Sequence, residues 1–398
     1  MEGGYDLNKG FVEDVRQAVS IVEVIGRHVQ LRQRGARWMG RCPFHEEKTP
    51  SFSVNPDRQM YYCFGCHAGG DVFKFLMEHE HMSFPDAVVE LAREAGLKIP
   101  RKSMQSAKRE AEQSQLVDAN EAALEWFREN LKSDSGKAVR KYLEDRGIDA
   151  EAAERFEIGW APDSYDALIK ALGKRFSKDV LQGAGLIQPS NGPSEYIAKF
   201  RKRIIIPIRS AGGRLVAFGG RIHGDGEPKY LNSPETALFN KSRLLFGLHA
   251  GMRTVRKRGF AILVEGYFDA IALHLAGFEN AVAPLGTSLT EEHSKLLRRY
   301  CTKAIVCMDA DTAGKRAAVR SAAVLLEQGF AVNVVPLPDG GDPDDYVREH
   351  GTDAFRELLK HSEPSYRYML KSAMEKHDLA RPTGKRDALR ELGPLLGK

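Results

Sequence analysis

Four side chains that commonly bind zinc occur as two closely spaced pairs near the start of the chain. Cys42 and His45 form a C-x2-H pair, and Cys63 and Cys66 form a C-x2-C pair after a gap of 17 residues. Three thiolates and one imidazole can complete a tetrahedral shell, which predicts one structural zinc ion per chain and leaves no coordination position for catalysis. His67 is an alternative ligand that we do not favour, because adjacent side chains rarely point at the same ion.

Arginines and aromatic residues surround these metal-binding pairs. The arginines have no acidic residue between them, and the group as a whole comprises Arg27, Arg32, Arg34, Arg37, Arg41, Trp38, Phe44, Phe52, Tyr61, Tyr62 and Phe64. Cations that contact phosphates, together with rings that stack on bases, are typical of a surface that binds single-stranded nucleic acid. Phe44 and Phe64 are instead expected to pack a small core, whereas Trp38, Tyr61 and Tyr62 remain open between the two roles.

Acidic side chains follow three predicted strands in the second half of the chain. The apolar runs 261–264, 304–308 and 332–335 are followed, respectively, by Glu265 and Asp269, by Asp309 and Asp311, and by Asp342 and Asp344. Because ligands bind at the carboxyl ends of parallel strands, we expect these carboxylates to converge at one edge of a sheet. Taken singly, Asp269, Asp311 and Asp345 could equally be helix caps or solvated loop residues. As a set, the acids predict bound Mg2+ or Mn2+, because so much negative charge requires cations.

The elements that must position these side chains are indicated by the spacing of apolar residues. Residues 1–100 are predicted to form a compact module that ends in a helix capped by Ser83. Residues 101–115 are predicted to be a polar linker or a solvated helix. Residues 116–252 begin as helix and continue as short strands over 203–208 and 214–221. Residues 253–345 alternate apolar strands with helices, which indicates a parallel sheet covered on both faces. Residues 346–398 are predicted to be helical.

Charge is distributed unevenly along the chain, although the net charge is only +5. Residues 199–258 contain 14 Lys/Arg against 3 Asp/Glu, whereas residues 259–345 contain 7 Lys/Arg against 12 Asp/Glu. A basic segment followed by an acidic one is typical of a protein that binds phosphates and, next to them, cations. The alternative is two solvated faces of opposite charge. The polar N-terminus and the lack of an apolar run of about 18 residues predict a cytoplasmic protein without a membrane span.

Three separate sets of motifs resemble the bacterial replicative DNA primases, the DnaG-type family. CPFHEEKTPSF at 42–52 and YCFGC at 62–66 are similar to the zinc module of that family. EGYFD at 265–269, LGTS at 285–288, DAD at 309–311 and DPD at 342–344 are similar to its Toprim catalytic core. FGGR at 218–221 and KYLNSPE at 229–235 are similar to its basic region, which binds template and nucleotide. One departure is His67, which stands where we would expect glycine.

The resemblance implies a multidomain α/β fold with several parts. These are an N-terminal zinc-ribbon module (1–100), a linker (101–115), a mixed α+β basic subdomain of an RNA polymerase domain (116–252), a Toprim-type parallel α/β catalytic subdomain (253–345) and a C-terminal helical segment (346–398).

The resemblance also implies a role for each candidate residue. Zinc would be bound by Cys42, His45, Cys63 and Cys66. The central carboxylates of the catalytic metal site would be Glu265, Asp309 and Asp311, supported by Asp269, Asp342 and Asp344. Phosphates of template or nucleotide would contact Arg221, Lys229, Lys241 and, at a greater distance, Arg146, although each of these could also be a solvated surface charge.

The implied activity is that of a nucleotidyltransferase that makes short RNA primers on single-stranded DNA from ribonucleoside triphosphates. The replicative helicase is an expected partner, through a C-terminal domain that the 398 residues do not include, and the chain alone is expected to be monomeric and to act in the nucleoid at the replication fork. The alternatives are a Toprim-type nuclease or topoisomerase and a non-catalytic zinc-ribbon DNA-binding protein. A primase–helicase fusion is disfavoured, because no phosphate-binding loop of the form G-x-x-x-x-G-K-[ST] is present.

Overall fold

The structure is a computed structural model that describes residues 5–101, 104–192, 194–338, 341–378 and 380–396. The chain divides into two compact units, here called unit 1 (residues 1–111) and unit 2 (residues 112–398). Positions 1–4, 102–103, 193, 339–340, 379 and 397–398, which fall within the predicted segments, lie outside the described residues. Within the described ranges, no helix combines the length and apolarity that a membrane crossing requires.

Unit 1 contains an antiparallel sheet whose strands pair in chain order. The strands are β1 (Arg32–Arg34), β2 (Arg37–Gly40), β3 (Phe52–Asn55), β4 (Met60–Cys63) and β5 (Gly69–Gly70). The helices of this unit are α1 (Lys9–Ala18), α2 (Ile21–Gly26), α3 (Val72–His79) and α4 (Phe84–Glu94). The predicted start of α4 is confirmed, because Ser83 Oγ accepts a hydrogen bond from the backbone N–H of Asp86 at 3.3 Å. Such a cap satisfies one of the unpaired N–H groups of the first turn.

A long helix, α5 (Met104–Lys132), covers most of the segment predicted as a linker or a solvated helix, so that segment is helical from Met104 onward. The helices that follow are α6 (Lys137–Asp145), α7 (Ala150–Arg155), α8 (Ala167–Leu172), α9 (Lys178–Gly183) and α10 (Leu248–Arg258). Four strands form an antiparallel sheet: β6 (Gly159–Ala161), β9 (Arg203–Arg209), β10 (Leu215–Ile222) and β11 (Tyr230–Asn232). Their order in the sheet is β11-β10-β9-β6. A separate hairpin comprises β7 (Ile187–Pro189) and β8 (Tyr196–Ala198). The two predicted strands at 203–208 and 214–221 are thereby confirmed as β9 and β10.

The predicted alternation of strands and helices is confirmed in the rest of unit 2. The strands are β12 (Phe260–Leu263), β13 (Ala281–Val282), β14 (Lys303–Val306), β15 (Ala331–Val334) and β16 (Glu363–Pro364), and the sheet order is β13-β12-β14-β15-β16. The helices are α11 (Tyr267–Leu275), α12 (Glu291–Arg298), α13 (Thr312–Glu327), α14 (Pro343–Lys360), α15 (Ser365–Lys376) and α16 (Pro382–Leu396). The parallel sheet predicted for residues 253–345 is confirmed by the pairing of β12 to β15. One edge gains β16 from the C-terminal segment, and this short strand pairs antiparallel with β15.

Both faces of this sheet are buried, as the apolar strands predicted. Ile262 and Val264 pack in one core cluster with side chains of α11, whereas Ala261 and Leu263 pack in a second cluster with side chains of α10 and α13. Successive side chains of a strand point to opposite faces, so each face needs its own layer of helices. The packing fixes β12 and β14 side by side, and it therefore fixes the positions of the residues that follow them.

Candidate metal sites

The four predicted zinc ligands come together in unit 1. Their donor atoms all lie within 4.8 Å of one another. Cys42 Sγ is 3.7 Å from Cys66 Sγ, and Cys63 Sγ is 3.8 Å from His45 Nδ1. Four ligands at Zn–S distances of about 2.3 Å would be separated by about 3.8 Å along the edges of a tetrahedron. The arrangement therefore fits a zinc ion without rearrangement of the chain.

Two tight turns present the thiols. Phe44 N donates to Cys42 Sγ at 3.4 Å, and Gly65 N and Cys66 N donate to Cys63 Sγ at 3.3 and 3.4 Å. Burial raises the pKa of Cys63, but hydrogen bonds from Ser51 and the two backbone N–H groups outweigh it and lower that pKa to about 7. Burial and the neighbouring thiols raise the pKa of Cys42 to about 12. Three thiolates this close would require a dication, which is the charge that zinc supplies.

Glu47 supports the predicted ligands, a role that sequence reasoning missed. Its Oε1 accepts hydrogen bonds from the backbone N–H of Cys42 at 2.6 Å and of Ser51 at 3.1 Å, and its Oε2 lies 3.4 Å from His45 Nε2. A carboxylate near the outer nitrogen of an imidazole favours the tautomer whose other nitrogen is free to bind a metal. An acidic residue two positions after the histidine was the only signal in the sequence.

His67 lies outside the group of four donors. Its backbone has φ +63°, a conformation that glycine adopts more easily, which accounts for the glycine we expected at this position. Its Nδ1 lies 2.8 Å from the hydroxyl of Tyr62. The side chain thus interacts with a neighbouring strand residue.

The aromatic residues of unit 1 divide between core and surface, and one expectation is wrong. Phe44 packs against the core as predicted, and Tyr61 is only 1% exposed. Phe64, which we expected in the core, is 57% exposed and forms an edge-to-face pair with Tyr62 at 5.2 Å between ring centroids. Phe64 directly follows Cys63, whose side chain is fully buried at the end of β4, and successive side chains along an extended segment point to opposite sides. Trp38 is partly buried against the same core.

In unit 2, the predicted acids converge at the carboxyl ends of the parallel strands. A cavity of about 840 Å3, which includes its open mouth, is lined by Glu265, Asp269, Asp309, Asp342 and Asp344. We call this lining the acidic rim. Asp311 is not part of the lining, because it is exposed and its Oδ1 caps α13 by accepting the N–H of Gly314 at 2.7 Å. Asp269 also caps a helix, because it accepts a hydrogen bond from Gly266 N at 2.9 Å at the start of α11. Asp342 likewise accepts one from Asp345 N at 2.7 Å at the start of α14.

The electrostatics of the acidic rim favour a bound cation. Burial, reinforced by the neighbouring carboxylates, raises the pKa of Asp309 to about 7 and the pKa of Asp269 to about 8. Burial also raises the pKa of Glu265. Glu265 Oε1 and Asp309 Oδ1 are buried and accept no hydrogen bond from the described residues. Buried carboxylate oxygens without partners are costly, and Mg2+ prefers oxygen ligands of this kind.

Basic side chains line the same cavity as the acids. Arg146, Arg221 and Lys229 contribute to the lining. Arg146 Nη2 is 2.9 Å from Asp344 Oδ2, without the geometry of a hydrogen bond to that oxygen. The guanidinium of Arg221 lies 5.1 Å from the ring centroid of Phe268. Lys241, the fourth predicted phosphate contact, is exposed and does not line the cavity.

Three residues that line this cavity belong to the sequence motifs, but no role was predicted for them: Tyr230, Asn232 and Tyr267. The hydroxyl of Tyr230 accepts a hydrogen bond from Arg221 Nη1 at 2.5 Å. The hydroxyl of Tyr267 donates to Asn232 Oδ1 at 2.7 Å, and Asn232 Nδ2 donates to the carbonyl of Leu285 at 2.8 Å. Asn232 therefore links β11 to the loop after β13, and Tyr230 holds a cation that faces the acids.

We expect Mg2+ to stabilise unit 2 more strongly at pH 8 than at pH 5. The carboxyls of Asp309 and Asp269 have raised pKa values, about 7 and about 8, whereas an unfolded chain would titrate them near 4. Between the pKa values of the unfolded and the folded state, the folded state therefore binds more protons than the unfolded chain. Without metal, the stability of the fold falls as the pH rises through this range. Mg2+ should raise the Tm by at least about 2–4 °C at pH 8, the shift that about 1 kcal/mol produces, and by less at pH 5. Thermal unfolding monitored by circular dichroism, with and without Mg2+ and with the zinc of unit 1 left in place, would reveal an unchanged Tm at pH 8 if the idea is wrong.

Known protein families match three consecutive parts of the chain. A CHC2 zinc finger matches residues 7–107, the N-terminal domain of the DNA primase catalytic core matches residues 126–252, and a Toprim-like domain matches residues 262–347. The zinc finger contains the four clustered donors, and the Toprim-like match contains all residues of the acidic rim. The three matches thus coincide with the parts of the structure that carry chemistry.

Curated relatives that match nearly all of the chain are DNA primases. The DNA primase of Geobacillus stearothermophilus is 40% identical over 98% of this chain and 67% of its own length. The DNA primase of Pseudomonas aeruginosa is 41% identical over 98% of this chain and 60% of its own length, and that of Halalkalibacterium halodurans is 45% identical over 87% and 58%. The chain spans about three fifths of the length of the latter two relatives.

Solved structures give the same result. A crystal structure of the Aquifex aeolicus primase, containing its zinc-binding and RNA polymerase domains, is 34% identical with a TM-score of 0.63, and the match covers 97% of this chain and 92% of that one. A DnaG primase catalytic domain bound to ssDNA is 34% identical with a TM-score of 0.65, and the match covers 72% and 91%. The likeness therefore extends over both units.

Proposed function

The chain belongs to the DnaG-type family of DNA primases, and on that premise we propose that it synthesises short RNA primers on single-stranded DNA. The reaction is a nucleotidyl transfer, in which a 3′-hydroxyl attacks the α-phosphate of a ribonucleoside triphosphate and pyrophosphate leaves. The observation that carries the proposal is a cavity lined by both carboxylates and cationic side chains. A metal-bound triphosphate needs both kinds of group: carboxylates bind the metal ion, and cationic side chains bind the phosphates.

Within this proposal, the acids have defined tasks. Glu265, Asp309 and Asp311 are the central ligands of Mg2+ or Mn2+, and Asp269, Asp342 and Asp344 support them. Bound divalent ions would lower the barrier by stabilising the attacking and leaving oxygens. Support for the central position of Asp309 and Glu265 comes from their buried oxygen atoms, which accept no hydrogen bond among the described residues. Asp311 already caps α13 through one oxygen, so its second oxygen would be the one available to a cation.

The basic residues would bind template and triphosphate. Lys229, exposed at the cavity, and Arg221, held by Tyr230, are positioned for phosphate oxygens that approach the acidic rim. Arg146 lies beside Asp344 and would balance that carboxylate as well as attract phosphate. Lys241 would act on a more distant part of the template or nucleotide. Contacts of this kind make DNA binding sensitive to salt, because each neutralised phosphate releases counterions.

Unit 1 would contribute recognition and not chemistry. One zinc ion held by Cys42, His45, Cys63 and Cys66 stabilises the fold, and the exposed rings of Tyr62 and Phe64 together with the exposed arginines of β1 and β2 suit the stacking and phosphate contacts of a single strand. We propose that this surface reads the start site. The replicative helicase is the proposed partner in the nucleoid, at the replication fork.

Primer synthesis on a defined template tests the proposal. The full chain is incubated with single-stranded DNA, labelled ribonucleoside triphosphates and either Mg2+ or EDTA, and the products are separated on a denaturing gel. A Mg2+-dependent ladder of short RNA is expected. Cleaved template would instead indicate a Toprim-type nuclease, and DNA retention without any product would indicate a non-catalytic DNA-binding protein. Either of these results would overturn the proposal.

A further inference from the structure

Unit 1 contains a second group of metal-binding side chains, separate from the cysteine and histidine cluster. His28, His79 and Glu80 bring one donor atom each to within 4.8 Å of the others. His28 follows the C-terminal end of α2, whereas His79 is the last residue of α3 and Glu80 caps that helix. His28 is distant in sequence from the other two donors and meets them where two helices end. Adjacent side chains rarely point at the same ion, but those of His79 and Glu80 do come together here, with Nδ1 and Oε1 2.8 Å apart.

The distances between these donors are slightly shorter than those between ligands around one ion. Glu80 Oε1 lies 2.8 Å from His79 Nδ1 and 3.2 Å from His28 Nδ1. Ligands at about 2.0–2.2 Å from a tetrahedral zinc or a similar ion are separated by about 3.3–3.6 Å, so only a slight expansion would admit a metal. The side chains of His28, His79 and Glu80 are 25%, 27% and 38% exposed, so an ion can reach them from solvent.

The two imidazole rings are held in place by the aromatic core. The ring of His79 stacks on Phe75 with centroids 5.2 Å apart and an interplanar angle of 11°. The ring of His28 lies 5.7 Å from Phe75 and 4.7 Å from His79. Phe75 itself is fully buried. Because the rings are oriented by packing, little conformational entropy would be lost when a metal binds.

The chemistry of the donors distinguishes this group from the thiolate cluster. Phe44, which lies between Cys42 and His45 in the sequence, approaches the ring of His79 to 6.4 Å and separates the two groups. Two imidazoles and one carboxylate suit Zn2+, Co2+, Ni2+ or Cu2+, and they suit Mg2+ poorly. Three protein ligands would leave the remaining coordination positions to water.

We propose that His28, His79 and Glu80 form a second transition-metal site, which ties the C-terminal end of α2 to that of α3. The site is independent of the proposed primase activity, because it rests only on side chains of unit 1. A metal bound there would stabilise the folded form of this unit in proportion to its affinity and concentration. Without metal, Glu80 Oε1 is hydrogen-bonded to His79 Nδ1 and lies 3.2 Å from His28 Nδ1.

Cobalt binding to the full chain tests this site. The thiolate cluster is first filled with one equivalent of Zn2+, the acidic rim is saturated with Mg2+, and Co2+ is then titrated by calorimetry and visible absorption. One additional Co2+ per chain is expected, with weak d–d bands and without the intense charge-transfer bands of a thiolate complex. The absence of an additional ion in excess Co2+ would overturn the proposal.

Substitutions identify the ligands. His28→Asn and His79→Asn should each weaken Co2+ binding by at least about tenfold, the smallest loss recorded for removing groups that support a metal site. His81→Asn is the matched control, because His81 is exposed, close in sequence and outside the group of three donors. Each variant should retain one Zn2+ per chain, which shows that unit 1 remains folded. Unchanged Co2+ affinity in the His28→Asn, His79→Asn double variant would refute the assignment.

Discussion

Replacement of Asp309 by asparagine is expected to lower the rate of primer synthesis by at least about 10^2-fold, with little effect on the affinity for single-stranded DNA. Asp309 follows β14 at the centre of the sheet, and its buried Oδ1 accepts no hydrogen bond among the described residues. An amide keeps the volume but removes the charge that holds a divalent cation. Losing one preorganised electrostatic contact in an active site typically costs about 10^2–10^3-fold, and a central metal ligand contributes at least as much.

The stability of the same variant separates lost chemistry from lost folding. In the absence of metal, Asp309 is repelled by Glu265 and Asp342, and its pKa is raised to about 7 by burial and by this repulsion. Without Mg2+ and with the zinc of unit 1 retained, Asp309→Asn should therefore raise the Tm at pH 8, while the stabilisation by Mg2+ becomes smaller. A variant that is inactive and also less stable without Mg2+ would indicate a structural role and not a metal ligand.

Asp353→Asn is the matched control for this substitution. Asp353 lies on α14, its side chain is 91% exposed, and it pairs only with Arg356 on the same helix among the interactions of the described residues. The change removes one negative charge of unit 2 at a distance from the acidic rim, so primer synthesis should stay within about twofold of the unmodified chain. Equal activity in Asp309→Asn and Asp353→Asn would remove Asp309 from the proposed metal site.

The positions of the acidic residues could be predicted because two simple regularities coincide. Apolar runs such as 261–264 identify buried parallel strands, and an acid directly after such a run must lie at the carboxyl edge of the sheet. The cysteine pairs were predictable for a similar reason, because their short spacing restricts them to tight turns. In both cases a local pattern determines where a side chain points.

Other features depend on contacts that no local pattern contains. The antiparallel strand β16 is only two residues long, Glu363–Pro364, and therefore has no periodicity to detect. Phe64 is 57% exposed next to the fully buried Cys63, although its residue type suggests burial. The side chains of His28 and His79 come together only when distant segments meet. Tertiary contacts of this kind override residue preference.

Replacement of Cys63 by serine is expected to remove zinc from the chain and to unfold unit 1 while unit 2 stays folded. Cys63 is fully buried at the end of β4, and its sulfur accepts hydrogen bonds from two backbone N–H groups. Serine has a hydroxyl that does not ionise near neutral pH, so the site loses one of three thiolates. Structural zinc in small modules contributes about 10–16 kcal/mol of binding free energy, which is also folding free energy.

Zinc content and hydrogen exchange measure this effect in the full chain. Elemental analysis should fall from about one zinc per chain to nearly none, and the amides of β3 and β4 should lose protection from exchange while those of β12 and β14 keep it. Cys301→Ala is the matched control, because Cys301 is a buried cysteine of unit 2 that is remote from the four donors in sequence. That variant should retain its zinc.

The division of the chain into two units predicts which activities survive in Cys63→Ser. Each unit has its own core cluster, so the loss of zinc should leave the acidic rim and its Mg2+-dependent stabilisation intact. Primer synthesis should then lose its preference for a start site, because the proposed recognition surface belongs to unit 1. Full zinc content in Cys63→Ser would exclude Cys63 as a ligand. Zinc loss with an unchanged start-site preference would assign that recognition to the basic side chains of unit 2.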